Sequence, residues 1–217
     1  MSSELPVNVY VDGFNFYYAI RHTSHKDLHR LKRGWCNFVT LGQRLVHLAF
    51  PGMSLGVVKY FTAPVGDFEM RTDEARRQEL WLDALREGTQ HSVRIIRGFH
   101  AKEEGKQRVE KQTDVNIAIS IVRDAIMSPE DAQDDRYPAD PLSPCGGIVL
   151  ISGDRDLEPA LRMADYYGVR PARFGPGREI TDDMLWESLL PDVIERRAGS
   201  PIKWADYAVL KSGRDRW

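Results

Sequence analysis

Five short apolar runs rich in β-branched residues punctuate the chain: "VNVYV" (7–11), "GVVKYFTA" (56–63), "SVRII" (92–96), "GIVLIS" (147–152) and "VRPARF" (169–174). Each is mostly continuous rather than alternating, the pattern of a strand buried on both faces of a parallel sheet. Between them, apolar residues recur at helical spacing. "TLGQRLVHLAF" opens at Thr40 as a plausible cap, and "EMRTDEARRQELWLDALREG" is charged, amphipathic and stopped by Gly88. "DVNIAISIVRDAIM" places Val115, Ile119, Val122 and Ile126 on one face, "DLEPALRMADYYG" ends at Gly168, and "ITDDMLWESLLPDVIERR" follows the last strand. Strand and helix alternate throughout. This predicts a three-layer α/β/α domain with a mainly parallel sheet of five or more strands and right-handed crossovers.

Two stretches interrupt the alternation. "GFHAKEEGKQRVEKQ" (98–112) is irregular, and "SPEDAQDDRYPADPLSPCGG" (128–147) is acidic and rich in Pro and Gly, read as a solvated surface loop. The division expected is one domain over 1–199 and a C-terminal extension over 200–217.

Composition narrows the class. At 217 residues with 42% hydrophobic and 29% charged positions, the chain is that of an ordinary globular domain. Its formal net charge of −2 gives no global basic character, so nucleic-acid binding would need local patches. The two cysteines, Cys36 and Cys145, are far apart and form no CxxC pair, which fits a reducing compartment. The N-terminal "MSSELPVNVY" has no signal-peptide layout, and no apolar run reaches membrane-spanning length. A cytoplasmic location and no membrane partner are expected.

The candidate chemistry lies in carboxylates at strand ends. In open α/β sheets, functional residues gather beyond the carboxyl ends of the strands where strand order reverses. Asp12 ends the first strand, and Asp154 and Asp156 follow the fourth. With the doubly wound order 3-2-1-4-5, strands one and four are neighbours at the reversal and these acids converge. Asp114 joins them from the first turn of the helix that leads into strand four. Clustered carboxylates repel one another and call for a cation, and hard oxygen donors suit Mg2+ or Mn2+. A plainer role is open to each: turn chemistry for Asp12 before Gly13, helix capping for Asp154 and Asn15, a dipole contact for Asp156. Asp124 lies ten residues beyond Asp114, about 15 Å along a helix, and is read as structural.

"VYVDGFNFYY", "KQTDVNIAISIVRDA" and "VLISGDRDLEPALRMADYYGVRPARFGP" together resemble the NYN domain, in its LabA-like bacterial branch, of the PIN-like nuclease superfamily. The resemblance runs from about Val7 to Arg197. It implies a PIN-like α/β/α fold and a metal-dependent endoribonuclease, a hydrolase of phosphodiester bonds. It makes Asp12, Asp114 and Asp154 metal-binding carboxylates, with Asp156 as an accessory and Asn15 orienting the first Asp or touching substrate. Ser152 and Lys111 are further substrate-side positions. Many relatives in that family carry a cysteine-rich zinc hairpin before the "TDVN" helix. Here that place holds "HAKEEGKQRVE", without cysteine, so no structural zinc is expected.

RNA, single-stranded or structured like tRNA, is the expected partner. "RHTSHKDLHRLKR" (21–33) carries Arg21, Lys26, Arg30, Lys32 and Arg33 against one Asp, and "RIIRGFHAKEEGKQRVEK" (94–111) leads into Asp114. Arg178 in "FGPGRE" is another possible contact. His22, His25 and His29 share helical spacing but lack the companion ligands of a zinc site. Among Phe14, Phe16, Tyr17 and Tyr18, packing is the main role and base stacking the alternative. Trp81, Leu82 and Leu85 form either core or the surface of a homodimer. The rival readings are a non-catalytic RNA-binding or regulatory module and a DNA-directed nuclease. A dinucleotide-binding enzyme is set aside, because "DGFNF" stands where GxGxxG would be needed.

Overall fold

The computed structural model describes residues 5–22, 36–64, 73–90, 92–101, 109–111, 113–128, 138–176, 178–180 and 184. Five parallel strands form the central sheet: β1 (Val7–Asp12), β2 (Leu55–Thr62), β3 (Val93–Arg97), β6 (Gly147–Ile151) and β7 (Arg170–Phe174). A short antiparallel pair, β4 (Phe99–Ala101) and β5 (Val109–Lys111), stands apart from it. The helices are α1 (Gly13–His22), α2 (Phe38–Ala49), α3 (Asp73–Gly88), α4 (Thr113–Ile126) and α5 (Glu158–Tyr166).

Sheet order is β3-β2-β1-β6-β7, the doubly wound arrangement, so β1 and β6 flank the reversal. Two apolar cores sandwich the sheet. One gathers Val9, Val11, Leu41, Leu45, Leu82 and Leu85 between the strands and α2 and α3. The other packs Ile117 and Ile121 of α4 and Ala160 and Leu161 of α5 against Tyr10, Ile148 and Leu150. β1 and β6 are buried along their whole lengths, which is why their sequences are unbroken apolar runs. Leu82 and Leu85 are core, with Trp81 packed against it.

The structure corrects several local expectations. α2 begins two residues before Thr40, and the cap is Asn37, whose side-chain oxygen accepts from the backbone N–H groups of Val39 and Thr40 at 3.0 and 3.2 Å. Replacing Asn37 with alanine is expected to cost about 1 kcal/mol, read as a lower urea midpoint at unchanged slope. The "GFHAKEEGKQRVEKQ" stretch contains the paired β4 and β5. Within the acidic stretch, residues 138–146 form an irregular segment with Pro138, Ala139 and Pro141 exposed, but it is pinned to the domain rather than freely solvated. Asp140 is only 14% exposed and Cys145 is buried, and the segment is anchored from several sides.

The anchor is a buried ionic cluster. Lys59, in the middle of β2, is fully buried, and its ammonium lies 2.6 Å from both Asp124 Oδ2 and Asp140 Oδ1. It also donates to Ser120 Oγ at 3.0 Å and the Pro141 carbonyl at 3.4 Å. The Tyr10 hydroxyl donates to Asp124 Oδ2 at 2.8 Å, and the Ser143 N–H to Asp124 Oδ1 at 3.0 Å. Arg123 pairs with Asp140 at 3.1 Å, and Asn8 donates to the Ser143 carbonyl. Asp124 is therefore structural. Burial pushes its pKa up, while Lys59, Ser143 and Tyr10 pull against that rise.

The acidic edge at the sheet reversal

At the carboxyl ends of β1 and β6, hydrogen bonds tie five of the expected residues into one unit. Asp12 is 4% exposed and both carboxylate oxygens are engaged. Oδ1 accepts from the Asn15 N–H at 3.0 Å and so caps the first turn of α1. Oδ2 accepts from the Ser152 hydroxyl at 2.9 Å. Ser152 Oγ in turn accepts from the Asp154 N–H at 3.0 Å. The Asn15 side-chain oxygen accepts from the Gly153 N–H at 2.8 Å, and Asp154 Oδ1 accepts from the Asp156 N–H at 2.9 Å.

The Asp12-Gly13 pair has a packing reason. A Cβ on Gly13 would stand 2.6 Å from the Tyr60 ring and 2.7 Å from the Phe61 carbonyl. Glycine is there because β2 passes so close, not because a left-handed turn demands it.

Asp114 opens α4 above the same edge. Its carboxyl pKa is raised, first by partial burial and then by the negative charges of Asp154 and Asp156. Asp114 therefore feels the charges of Asp154 and Asp156. Beside Asp114, the buried Thr113 hydroxyl has no hydrogen-bond partner among the described residues. This donor set suits a hard divalent cation: oxygen only, mutually repelling, with an unsatisfied hydroxyl next to it. Among the described residues, no three acidic, His or Cys side chains are yet gathered around one metal position. The ligand chemistry fits, and closing the cluster on an ion requires side-chain movement.

Other expected residues fall differently. Ser152 is fully buried, so it orients Asp12 rather than meeting substrate, which corrects that expectation. Asp154 does not cap α5; its carboxylate turns back to the Asp156 N–H, and the cap position is Leu157 with no side-chain cap bond. Arg178 is exposed just beyond β7, on the same edge of the sheet. Arg21 lies near the end of α1 and Lys111 at the end of β5. Arg30, Arg33, Lys26, Lys32, His25 and His29 lie outside the described residues, as does the extension over 200–217. Phe16 is core, whereas Tyr18 is exposed and stacks with Phe14 at 6.3 Å. Sequence reading missed Arg173, whose guanidinium donates to the Asp154 carbonyl at 3.4 Å and faces Glu158 at 3.8 Å. Its signal was one of two arginines in the strand run "VRPARF", the one nearer the carboxyl end where the acids lie.

Fold and site together define a five-stranded parallel α/β protein with an acidic edge at its strand-order reversal. No protein-family profile matches the chain, and no solved structure matches it. The chain is similar to 6-hydroxy-3-succinoylpyridine 3-monooxygenase HspA of Pseudomonas putida, at 25% identity over 217 aligned positions covering 85% of this chain. It spans 65% of that relative's length. This corrects the expectation of a metal-dependent endoribonuclease. The relative is an oxidoreductase, not a hydrolase acting on phosphodiester bonds, and the hydrolase assignment does not stand. No helix among the described residues is long and apolar enough to cross a membrane.

Proposed function

We propose that the chain is a PIN-like binding module whose acidic edge takes up Mg2+ or Mn2+ and, through it, the phosphates of RNA. The observation that carries this reading is the hydrogen-bonded unit at the reversal, an Asp12 held by Ser152 and the Asn15 N–H, with the charges of Asp154 and Asp156 bearing on Asp114 beside it. A bound cation offsets that charge and presents a Lewis-acid face to an anionic oxygen. The chain's own residues do the rest. Ser152 fixes the rotamer of Asp12, Asn15 ties α1 to the turn after β6, and Arg173 and Arg178 supply positive charge at the same edge. No cleavage is assigned to the site.

The test is thermal unfolding with Mn2+, Mg2+ or EDTA, followed by binding of labelled single-stranded RNA and tRNA under the same conditions. Mn2+ is expected to raise the melting temperature, and RNA affinity to fall steeply with salt. A wild-type melting temperature indifferent to either ion would sink the proposal.

Asp114 gives a prediction with two signs. Its folded pKa lies above its unfolded value, so its contribution is full below the ordinary Asp value of about 3.9 and is lost as pH rises through the raised value. Asp114→Asn is therefore expected to flatten this fall and to stabilise the metal-free protein at neutral pH. The same variant is expected to lose most of the Mn2+-induced shift. A variant less stable than wild type in EDTA at neutral pH would contradict the charge argument.

A second reading rests on the likeness to the pyridine monooxygenase. There the same edge would hold an aromatic substrate, with molecular oxygen and a two-electron donor such as a reduced nicotinamide or flavin supplied from outside. Oxygen uptake dependent on a hydroxypyridine and on that donor would favour this reading over RNA binding.

A further inference from the structure

Most described arginines have a partner within the chain. Arg86, Arg97, Arg123, Arg162 and Arg173 each lie within 3.8 Å of a carboxylate. Arg94 and Arg170 donate to backbone carbonyls. Arg76, Arg155 and Arg178 differ. All three are exposed, and among the described residues none of their guanidinium groups has a hydrogen bond or an ion pair.

Each of the three stands beside an acid that is already committed elsewhere. Arg76 is three residues from Glu79 on α3, within reach on a helix, but both Glu79 oxygens accept from Arg97 at 2.8 Å. Arg155 follows Asp154, whose Oδ1 accepts from the Asp156 N–H at 2.9 Å. Arg178 precedes Glu179, whose Oε2 accepts from the Gly175 N–H at 2.7 Å. The positive charge left over is therefore available to an anion from outside.

The three also share the carboxyl edge of the sheet. Gln78, two residues after Arg76, donates to Thr62 at the end of β2 at 3.1 Å, and the Arg97 that holds Glu79 ends β3. Arg155 lies between β6 and α5. Arg178 turns back over Gly175, just past β7, with its Cδ 3.8 Å from where a Cβ on that glycine would stand. From β3 to β7 the edge covers four strand spacings, roughly 19 Å, and Asp12 at the end of β1 occupies its middle. Cations spread over that length suit a repeating anion better than a lone phosphate. One row of them suits one backbone, where a duplex presents two. Tyr18, 42% exposed and stacked with Phe14, lies roughly 8 Å along α1 from Gly13 and offers a ring that an unpaired base can reach.

We propose that a single strand of RNA crosses the strand ends from β3 to β7, its phosphates held by Arg76, Arg155 and Arg178 and its middle over Asp12. This rests on the reading of the acidic edge as an RNA site, and adds to it the path and the form of the RNA.

Titration of labelled oligouridine with the full chain in Mn2+, over a range of salt concentrations, tests the path, beside the same strand annealed to oligoadenosine. Wild type is expected to bind the single strand at least tenfold more tightly than the duplex. Arg76→Ala, Arg155→Ala and Arg178→Ala should each weaken binding about fivefold at about 0.1 M salt, and make the logarithmic salt dependence shallower by about 0.7. Arg155→Lys, which keeps the charge, should keep the slope. The Mn2+-induced rise in melting temperature should be no smaller in Arg155→Ala than in wild type, because the lost charge opposed the ion. Arg86→Ala, in the last turn of α3 at the opposite edge of the sheet, should bind RNA as wild type does. Wild type that responds to Mn2+ and binds the single strand, with all three edge variants indistinguishable from it, would overturn the path and leave the reading of the acidic edge standing. Equal losses in Arg86→Ala, or equal affinity for the duplex, would overturn the path as well. A wild type that binds neither form of RNA would end both.

Discussion

Lys59→Met is expected to remove about 3–5 kcal/mol of stability, a large share of what a domain of this size possesses. Methionine keeps much of the volume and apolar stem, so the loss isolates the ammonium. Without it, Asp124 loses its only cation among the described residues while Asp140 keeps Arg123, and the hydrogen bonds from Tyr10 and Ser143 cannot replace a buried ammonium beside Asp124. Urea unfolding should show a much lower midpoint at unchanged slope. Adding Asp124→Asn should recover part of the loss, because the amide keeps an acceptor while shedding the charge. A Lys59→Met cost below about 1 kcal/mol would mean that the ionic cluster is solvated in solution.

Asp12→Asn is expected to have the largest effect on the acidic edge. The substitution is nearly isosteric. The remaining carbonyl oxygen can still accept from the Asn15 N–H, and the Ser152 hydroxyl can turn to accept from the new amide. The fold should therefore survive, with a melting temperature in EDTA close to wild type. Divalent-ion affinity should fall by at least about a hundredfold, the upper end of what removing a mere supporting group costs. Titration of Mn2+ by calorimetry reads this directly. Unchanged affinity would remove Asp12 from the site and leave it as the cap of α1.

Much of the fold was legible because parallel strands buried on both sides leave unbroken apolar runs. All five were found, and their order followed from the doubly wound rule. The meeting of the strand ends that carry Asp12 and Asp154 was legible for the same reason, since strand ends at a reversal must meet, although the described side chains do not gather around one metal position. What stayed hidden depended on single side-chain choices. Asn37 and Thr40 both read as caps, and only the backbone entry angle decides between them. Ser152 looked like a substrate contact because sequence shows its position at a strand end but not that Asp12 and the Asp154 N–H occupy it on both sides. The ionic cluster had one visible trace, the lysine inside "GVVKYFTA". A charge inside a buried strand demands a partner, but nothing in the spacing points to Asp140, which sits in a stretch that composition assigns to solvent. On α4, periodicity marked Val115, Ile119, Val122 and Ile126, whereas the sheet takes the face of Ile117 and Ile121 with the polar Thr113, Ser120 and Asp124, whose burial depends on partners that the sequence does not show.

The bond between Asp12 and Ser152 joins residues 140 positions apart. A ribosome making this chain finishes β1 well before β6, and the acidic edge cannot exist until β6 and the turn after it have emerged and slipped in beside β1. Until then the flank of β1 that β6 will occupy is an open, apolar border exposed to other nascent chains. The placement of the site at the reversal therefore sets a schedule. A chain truncated before Gly147 has neither β6 beside β1 nor the assembled acidic edge, so the middle of the sheet and that edge form in the same late event.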